Sequence, residues 1–74
     1  MIAAVIAMES EAEILLHNAR IAAQKTICGK KTYEGEAYGK QFVLIVCGVG
    51  KVNAAIGATI ALTLYSPEAI LNFG

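Results

Sequence analysis

Two carboxylates stand directly after an apolar segment at the start of the chain. Glu9 and Glu11 follow the apolar residues from Ile2 to Met8 without an intervening linker. A short, continuous apolar run is typical of a strand buried on both faces of a parallel sheet. The residues that follow such a strand lie at its carboxyl end, where open α/β folds bind ligands. A carboxylate there can orient a water molecule and accept its proton, so the spacing predicts proton-transfer chemistry at this edge.

A second segment that could contact a ligand contains two glycines ahead of a helical pattern. Gly48 and Gly50 flank Val49, and glycines at such a place let the backbone approach a ligand and direct N–H groups at it. The segment is not a Walker A loop, because Ile45 stands where that motif needs its first glycine and Val52 follows the lysine. A tight turn from strand to helix explains the same spacing equally well, so both interpretations remain open at this point.

The remaining residues that could act as metal ligands or nucleophiles form no pattern. Cys28 and Cys47 are isolated, and no histidine is placed to complete a zinc site with them. We predict that both are reduced, partly buried thiols. His17, one helical turn after Glu13, is interpreted as a surface residue. We expect no metal and no cofactor.

Composition and charge limit the classes of partner. The formal net charge of the 74 residues is zero, tryptophan is absent, and no basic patch is interleaved with aromatic residues, so we expect no nucleic-acid partner. The opening segment lacks the basic residues of a signal peptide. The longest uncharged stretch, from Val52 to Tyr65, is too short to span a bilayer. We therefore expect a cytoplasmic protein without a membrane partner.

The two ligand-facing segments need a sheet and helices to position them. Ser10 and Glu13 match a capping box, and an apolar stripe with helical spacing continues from Ala12 to Ala22, so a helix is predicted from Ser10 to about Ala23. A hairpin turn is predicted at Tyr38-Gly39-Lys40. The complete prediction is strand 2–8, helix 10–23, strands 25–29, 32–37 and 41–47, helix 51–65 and strand 69–73.

These elements predict an α/β fold with a mixed sheet flanked by helices. The first, fourth and fifth strands are the most apolar, so we expect them inside the sheet. Two helices can hardly cover both faces of such a sheet, so residues 1–74 are predicted to form a single partial domain. Four small residues of the second helix would leave an apolar surface without a cover, which predicts a homodimer through the helix from Lys51 to Tyr65. These small residues are Ala54, Gly57, Ala58 and Ala61.

Several segments together resemble the amino-terminal part of the 5′-methylthioadenosine/S-adenosylhomocysteine nucleosidase family. They occur in the family's order through essentially all 74 residues, which is far more specific than any one motif. That family has the nucleoside phosphorylase-like α/β fold, here in the order β-α-β-β-β-α-β. The segments are Ala7-Met8-Glu9-Ser10-Glu11, Tyr33-Glu34-Gly35, Cys47-Gly48-Val49-Gly50-Lys51-Val52, Ala54-Ala55, Gly57-Ala58-Thr59, and Pro67 leading to Asn72-Phe73-Gly74.

The resemblance implies an activity and a role for three residues. The activity is hydrolysis of the bond between adenine and a 5′-thio-substituted ribose, with water as nucleophile and no metal, in methionine salvage and the methyl cycle. Glu11 matches the carboxylate that activates the water, and Met8 and Val49 match positions that line the sugar and thioalkyl pocket. Without the resemblance, Glu11 is equally typical of an acid in the first turn of a helix, where the helix dipole favours it.

Two alternatives remain beside the nucleosidase. One is a nucleoside phosphorylase of the same fold, and the other is a truncated, non-catalytic module that only associates. The resemblance places the aromatic residue that stacks on the base, the glutamate that binds the ribose hydroxyls and the aspartate that protonates the purine after Gly74. We therefore expect the isolated 74-residue chain to be inactive.

Overall fold

The computed structural model describes residues 1–73, so the predicted match at Gly74 lies outside the described residues. The order of elements agrees with the prediction, with a π-helical turn completing the second helix. In chain order they are β1 (Ile2–Ile6), α1 (Glu9–Leu16), β2 (Arg20–Ile27), β3 (Lys30–Ala37), β4 (Lys40–Val46), α2 (Lys51–Ile60), the π-helical turn (Ala61–Tyr65) and β5 (Ala69–Phe73).

The five strands form one mixed sheet, which confirms the predicted α/β class. Their order is β2-β3-β4-β1-β5; β1 runs parallel to β4 and β5, whereas β2, β3 and β4 are antiparallel neighbours. The prediction that the last strand lies inside the sheet is wrong for this chain. Within residues 1–73, β5 pairs only with β1, so it forms the edge, and only its Ile70 is partly buried.

The first helix is shorter than its apolar pattern predicts. It begins at Glu9 and ends at Leu16, and Arg20 already begins β2. Ala22, the last residue of the predicted helical stripe, belongs instead to β2, which pairs with β3 from Ile27 back to Arg20. Alanine fits both patterns, so the ladder of hydrogen bonds to β3 decides the outcome.

The predicted capping box is also absent. Met8 occupies the N-cap position with extended backbone angles, and no side chain caps the helix. Ser10 lies inside the first turn, one residue after Glu9. The chain enters α1 directly from β1, so the acidic residues of the first turn come immediately after the carboxyl end of the strand.

Two tight hairpins connect β2, β3 and β4. Tyr38 and Gly39 both have positive φ angles, 54° and 75°, which is the pattern of a two-residue turn between antiparallel strands. The hairpin predicted there is confirmed, with Lys40 as the first residue of β4. Cys28 and Gly29 form the same kind of turn, one residue earlier than the predicted break at Gly29 to Lys31.

One helix packs on each face of the sheet. On the α1 face, Ala12 packs with Ile6, Tyr33 and Leu44. On the other face, Ile60 and Ala61 pack on residues of the central strands β1 and β4. These residues are Ala3, Val43 and Ile45.

The small residues of the second helix are covered differently from the prediction. Gly57 and Ala61 are buried, and an added Cβ at Gly57 would lie 2.8 Å from Val5 Cγ1 and 2.9 Å from Cys47 Cβ. The expectation that nothing in this chain covers them is wrong, because glycine and alanine allow the helix to approach its own sheet. Across residues 1–73 no helix has the length and apolarity that crossing a membrane requires. The second helix instead exposes larger apolar side chains to solvent. The exposed apolar residues are Val52, Ile56, Leu62 and Leu64.

Candidate active site

The two segments singled out in the sequence leave the sheet at the same edge. β1 and β4 are parallel neighbours, with Ile6 opposite Val46 at their ends. The backbone N–H of Cys47 donates to the carbonyl oxygen of Ile6 at 2.8 Å and extends this pairing by one residue. The connection from β1 to α1 and the connection from β4 to α2 therefore begin side by side, at the edge where α/β folds bind ligands.

The glycine-rich connection has a backbone that most residues would not adopt. Gly48 and Gly50 have φ angles of 94° and 106°. Between them Val49 keeps 71% of its side chain exposed at the edge of the sheet. The side-chain amide of Asn53 donates to the carbonyl oxygen of Val49 at 2.9 Å, and Lys30 Nζ donates to Asn53 Oδ1 at 2.9 Å. This chain of hydrogen bonds fixes Val49 relative to β3.

The carboxylate of Glu9 is engaged by two residues of β3. The hydroxyl of Tyr33 donates to Glu9 Oε1, and Lys31 Nζ lies 3.7 Å from the same oxygen. Tyr33 is buried against Ile6, Ala12 and Leu44. Its hydrogen bond to the carboxylate raises the pKa of Tyr33 to about 12, with further contributions from burial and from nearby negative charges. Glu9 is thus a fixed structural group.

Glu11 differs from Glu9 in its surroundings. It is half-buried in the first turn of α1, and its backbone N–H donates to the carbonyl oxygen of Met8 at 3.1 Å. Among residues 1–73 its carboxylate forms no ion pair and no side-chain hydrogen bond. A half-buried carboxylate that is not engaged by the protein can bind and deprotonate a water molecule. Met8, 49% exposed, supplies an apolar side chain at the same connection.

A shallow groove runs beside the Val49 connection. Its volume is about 270 Å³, slightly below the lower end of the range of typical ligand pockets, roughly 300–1,000 Å³. It is open on one side, and its walls come from the carboxyl ends of β1, β4 and β5 and from the first turns of α2. The lining residues are Ala7, Cys47, Gly48, Val49, Gly50, Lys51, Ala54, Asn72 and Phe73.

The three residues predicted to form the site lie in different elements of the structure. Met8 lies on the connection after β1, Glu11 lies in the first turn of α1, and Val49 lies on the connection after β4. Of these three residues only Val49 lines the groove. In the described part of the chain, no three His, Cys, Asp or Glu side chains are grouped so that they could hold a metal ion. The contact between Tyr33 and Glu9 is not predicted by the motifs of the sequence. The alternation along β3, which puts Lys31 and Tyr33 on one face, is the signal that could have found it.

The comparisons with known proteins agree with this geometry. A family model described as the phosphorylase superfamily matches residues 1–74. The chain belongs to the phosphorylase superfamily. Within it, the chain is 44% identical over 68 residues to a 5′-methylthioadenosine/S-adenosylhomocysteine nucleosidase of Listeria monocytogenes, covering 92% of this chain and 29% of that protein. A nucleosidase of the same name from Halalkalibacterium halodurans is 43% identical over the same lengths.

Solved structures of this superfamily match the fold closely. The S-adenosylhomocysteine nucleosidase of Streptococcus pyogenes, crystallised with 5-methylthiotubericidin, has a TM-score of 0.88 and 32% identity, over 96% of this chain and 30% of that one. The Neisseria meningitidis enzyme bound to methylthio-immucillin-A gives the same score and identity, over 31% of its length. The resemblance to the nucleosidases is confirmed, and the chain spans about 30% of the length of these relatives.

Proposed function

We propose that residues 1–74 supply the amino-terminal part of the active site of a nucleosidase. The reaction is hydrolysis of the N-glycosidic bond of 5′-methylthioadenosine or S-adenosylhomocysteine, and the chain forms part of a single α/β domain. The observation that carries this proposal is the different state of two neighbouring acids at the carboxyl edge. Tyr33 and Lys31 engage Glu9, whereas the half-buried carboxylate of Glu11 remains available for water. The relatives named above support the choice of substrate.

The mechanism assigns one chemical step to this chain. Glu11 accepts a proton from water while the water oxygen bonds to the anomeric carbon of an oxocarbenium-like sugar. The bond from that carbon to the adenine nitrogen breaks, and its electron pair leaves with adenine. Met8 and Val49 provide apolar contacts for the sugar and the thioalkyl group. The products are adenine and a 5′-thioribose, without a metal or a cofactor.

Adenine also needs a proton as it leaves, and the other acids of this chain are poorly placed to supply it. Glu34 accepts a hydrogen bond from Tyr65 at 2.6 Å, and Glu68 lies at the amino end of β5, away from the carboxyl edge. Protonation of a leaving group commonly contributes roughly 10²–10⁴-fold to a rate. We therefore propose that residues 1–74 alone do not release adenine at an enzymatic rate.

Phosphorolysis is the second candidate reaction, because the superfamily is named for it. Phosphate would need free cationic or amide donors near the sugar. At this edge Lys31 faces the carboxylate of Glu9, and Lys51 lines the groove beside Val49. We propose water as the nucleophile because the carboxylates of Glu9 and Glu11, which follow β1 at this edge, would repel phosphate.

Product analysis distinguishes hydrolysis from phosphorolysis. The enzyme for this assay joins residues 1–74 to the remaining part of the Listeria monocytogenes relative, and we call it the full-length chimera. With methylthioadenosine we expect adenine and methylthioribose in equal amounts, with the same rate and products when phosphate is added. A sugar 1-phosphate that appears only with added phosphate would instead establish a phosphorylase.

We further propose that the protein is a homodimer through the helix from Lys51 to Tyr65. The exposed face of this helix, together with Ile27 and Cys28, borders a largely apolar groove of about 520 Å³ that a second copy could fill. Replacing the exposed Ile56 by lysine should then give monomers in size-exclusion chromatography. An unchanged dimer would place the contact elsewhere.

The compartment we propose is the cytoplasm, because Cys28 and Cys47 are both free thiols.

A further inference from the structure

The helix that carries Glu11 has few means of holding its own position. α1 has eight residues, and Ala12 is the only one of them that is buried. No side chain caps its amino terminus at Met8. Helices this short are marginal in water without tertiary contacts. The position of Glu11 therefore depends on what attaches the first turn of α1 to the sheet.

The contact that attaches this turn comes from β3. The ring of Tyr33 is fixed by its packing against Ile6 and Leu44, which belong to the two central strands. From that position its hydroxyl donates to the carboxylate of Glu9, the first residue of the helix. Lys31, two residues earlier on the same face of β3, adds a charge 3.7 Å from the same oxygen. A rigid side chain of the sheet thus meets the helix at its first residue.

We propose that Tyr33 is a positioning residue that acts through Glu9 to set the place of the Glu11 carboxylate at the carboxyl edge. This inference rests on the proposed function of Glu11. Glu9 and Glu11 share one helical turn, and the backbone N–H groups of Glu11 and Ala12 both donate to the Met8 carbonyl at 3.1 Å. Fixing Glu9 therefore fixes the backbone of Glu11. A misplacement of about 1 Å can lower a rate by roughly 10²-fold.

On the opposite face of the sheet, a similar contact between a tyrosine and a glutamate lies away from the carboxyl edge. There the hydroxyl of Tyr65 donates to Glu34 Oε2 at 2.6 Å, and Lys25 Nζ lies 3.0 Å from the same oxygen. The chemistry is the same as at Glu9: a tyrosine hydroxyl and a lysine engage one carboxylate. Tyr65 does not border the groove proposed for the dimer, so Tyr65→Phe removes a comparable hydrogen bond and serves as the control for stability alone.

The experiment compares Tyr33→Phe, Tyr65→Phe and Glu11→Gln in the full-length chimera. For Tyr33→Phe we expect kcat with methylthioadenosine to fall by about 10- to 100-fold, with KM changed by less than about 3-fold. Tyr65→Phe should leave kcat and KM within about 2-fold of the parent while it lowers the melting temperature by a similar amount to Tyr33→Phe. Equal losses of kcat in both tyrosine variants would mean that the role of Tyr33 is structural only.

Variants of Glu9 test whether the effect of Tyr33 passes through this carboxylate. Glu9→Ala, which removes no core side chain, should reproduce the kcat of Tyr33→Phe, and the double variant should lose little more than either single one. Glu9→Gln keeps an acceptor for the hydroxyl, so it should lose far less than Glu9→Ala. Additive losses in the double variant would contradict the coupling.

Amide hydrogen exchange provides a second readout that does not depend on turnover. In Tyr33→Phe the N–H groups of Glu11 and Ala12 should exchange faster than in the parent and in Tyr65→Phe. Unchanged exchange together with unchanged kcat would overturn the inference. Loss of activity in Glu11→Gln but not in Tyr33→Phe would reject the positioning role alone, whereas an active Glu11→Gln would reject the proposed function of Glu11 itself.

Discussion

At the scale of single residues, hydrogen-bond and ion-pair partners distinguish two acids that the strand-to-helix pattern alone does not distinguish. Glu9 and Glu11 are two positions apart in one helical turn, yet Tyr33 and Lys31 engage only the first. A carboxylate engaged in this way organises structure, whereas the carboxylate of Glu11 remains available to a water molecule. The assignment of a general base therefore depends on which side chains of β3 lie beneath α1.

Tyr33, which is buried, and Tyr65, which is half-buried, predict a stability that falls at high pH. The hydrogen bond to Glu9 raises the pKa of Tyr33 to about 12, and burial followed by the hydrogen bond to Glu34 does the same for Tyr65. Both values lie above the usual pKa of about 10 in an unfolded chain. The corresponding stabilisation is fully present below pH 10 and is lost as pH rises through 12.

Urea unfolding of the full-length chimera at several pH values from 9 to 12 measures this loss. We expect the free energy of unfolding to fall less steeply with pH in Tyr33→Phe and in Tyr65→Phe than in the parent, because each variant lacks one of the shifted groups. Parent and variant curves that run parallel from pH 9 to 12 would show that these hydroxyls titrate alike in the folded and unfolded states.

At the scale of secondary structure, the sequence predicts the elements that have a single clear pattern. The apolar residues of β1 and β4 and the turn at Tyr38 and Gly39 predict their places correctly, because burial and positive φ angles restrict the residue types there. The end of α1 was not predictable in this way. Ala19 and Ala22 continue the helical stripe of α1, but the chain enters β2 at Arg20 because β2 pairs with β3. A helical pattern read along α1 does not include this pairing.

The contact between α2 and the sheet predicts the effect of a small substitution at Gly57. Replacing glycine by alanine inside a helix usually stabilises it by roughly 0.5–1 kcal/mol. At Gly57 the new Cβ would lie 2.8 Å from Val5 Cγ1 and 2.9 Å from Cys47 Cβ, both in buried residues. Overpacking of this kind costs about 1–3 kcal/mol. We expect Gly57→Ala to lower the free energy of unfolding by about 1 kcal/mol.

Urea unfolding of Gly57→Ala and Ala55→Gly separates packing from helix propensity. Ala55 is exposed on the same helix, so within one copy of the chain its replacement by glycine changes helix propensity without changing the packing on the sheet, and it should cost about 1 kcal/mol. Gly57→Ala improves the propensity and should nevertheless destabilise the protein. An increase in stability in Gly57→Ala would mean that α2 lies farther from β1 than the structure places it.

At the scale of the whole molecule, one helix on each face leaves apolar surface exposed. Beside α1, the sheet keeps an open groove of about 260 Å³, and Leu71 and Phe73 of the edge strand are exposed along it. The carboxyl edge likewise offers only a shallow groove next to Val49. Both features agree with a chain that spans about 30% of the length of its relatives. The sequence predicts which connections form this edge, whereas the shape of the groove beside Val49 depends on how the ends of three strands and α2 pack against one another.

The measurement that tests the central claim most directly is adenine release from methylthioadenosine by Glu11→Gln in the full-length chimera. Glutamine keeps the shape and hydrogen bonding of the side chain but cannot accept a proton from water. We expect turnover to fall by roughly 10²-fold or more with the fold preserved, while Glu13→Gln, an exposed neighbour on the same helix, stays near the parental rate. Turnover of Glu11→Gln close to that of the parent would contradict the assignment of Glu11 as the base that activates water.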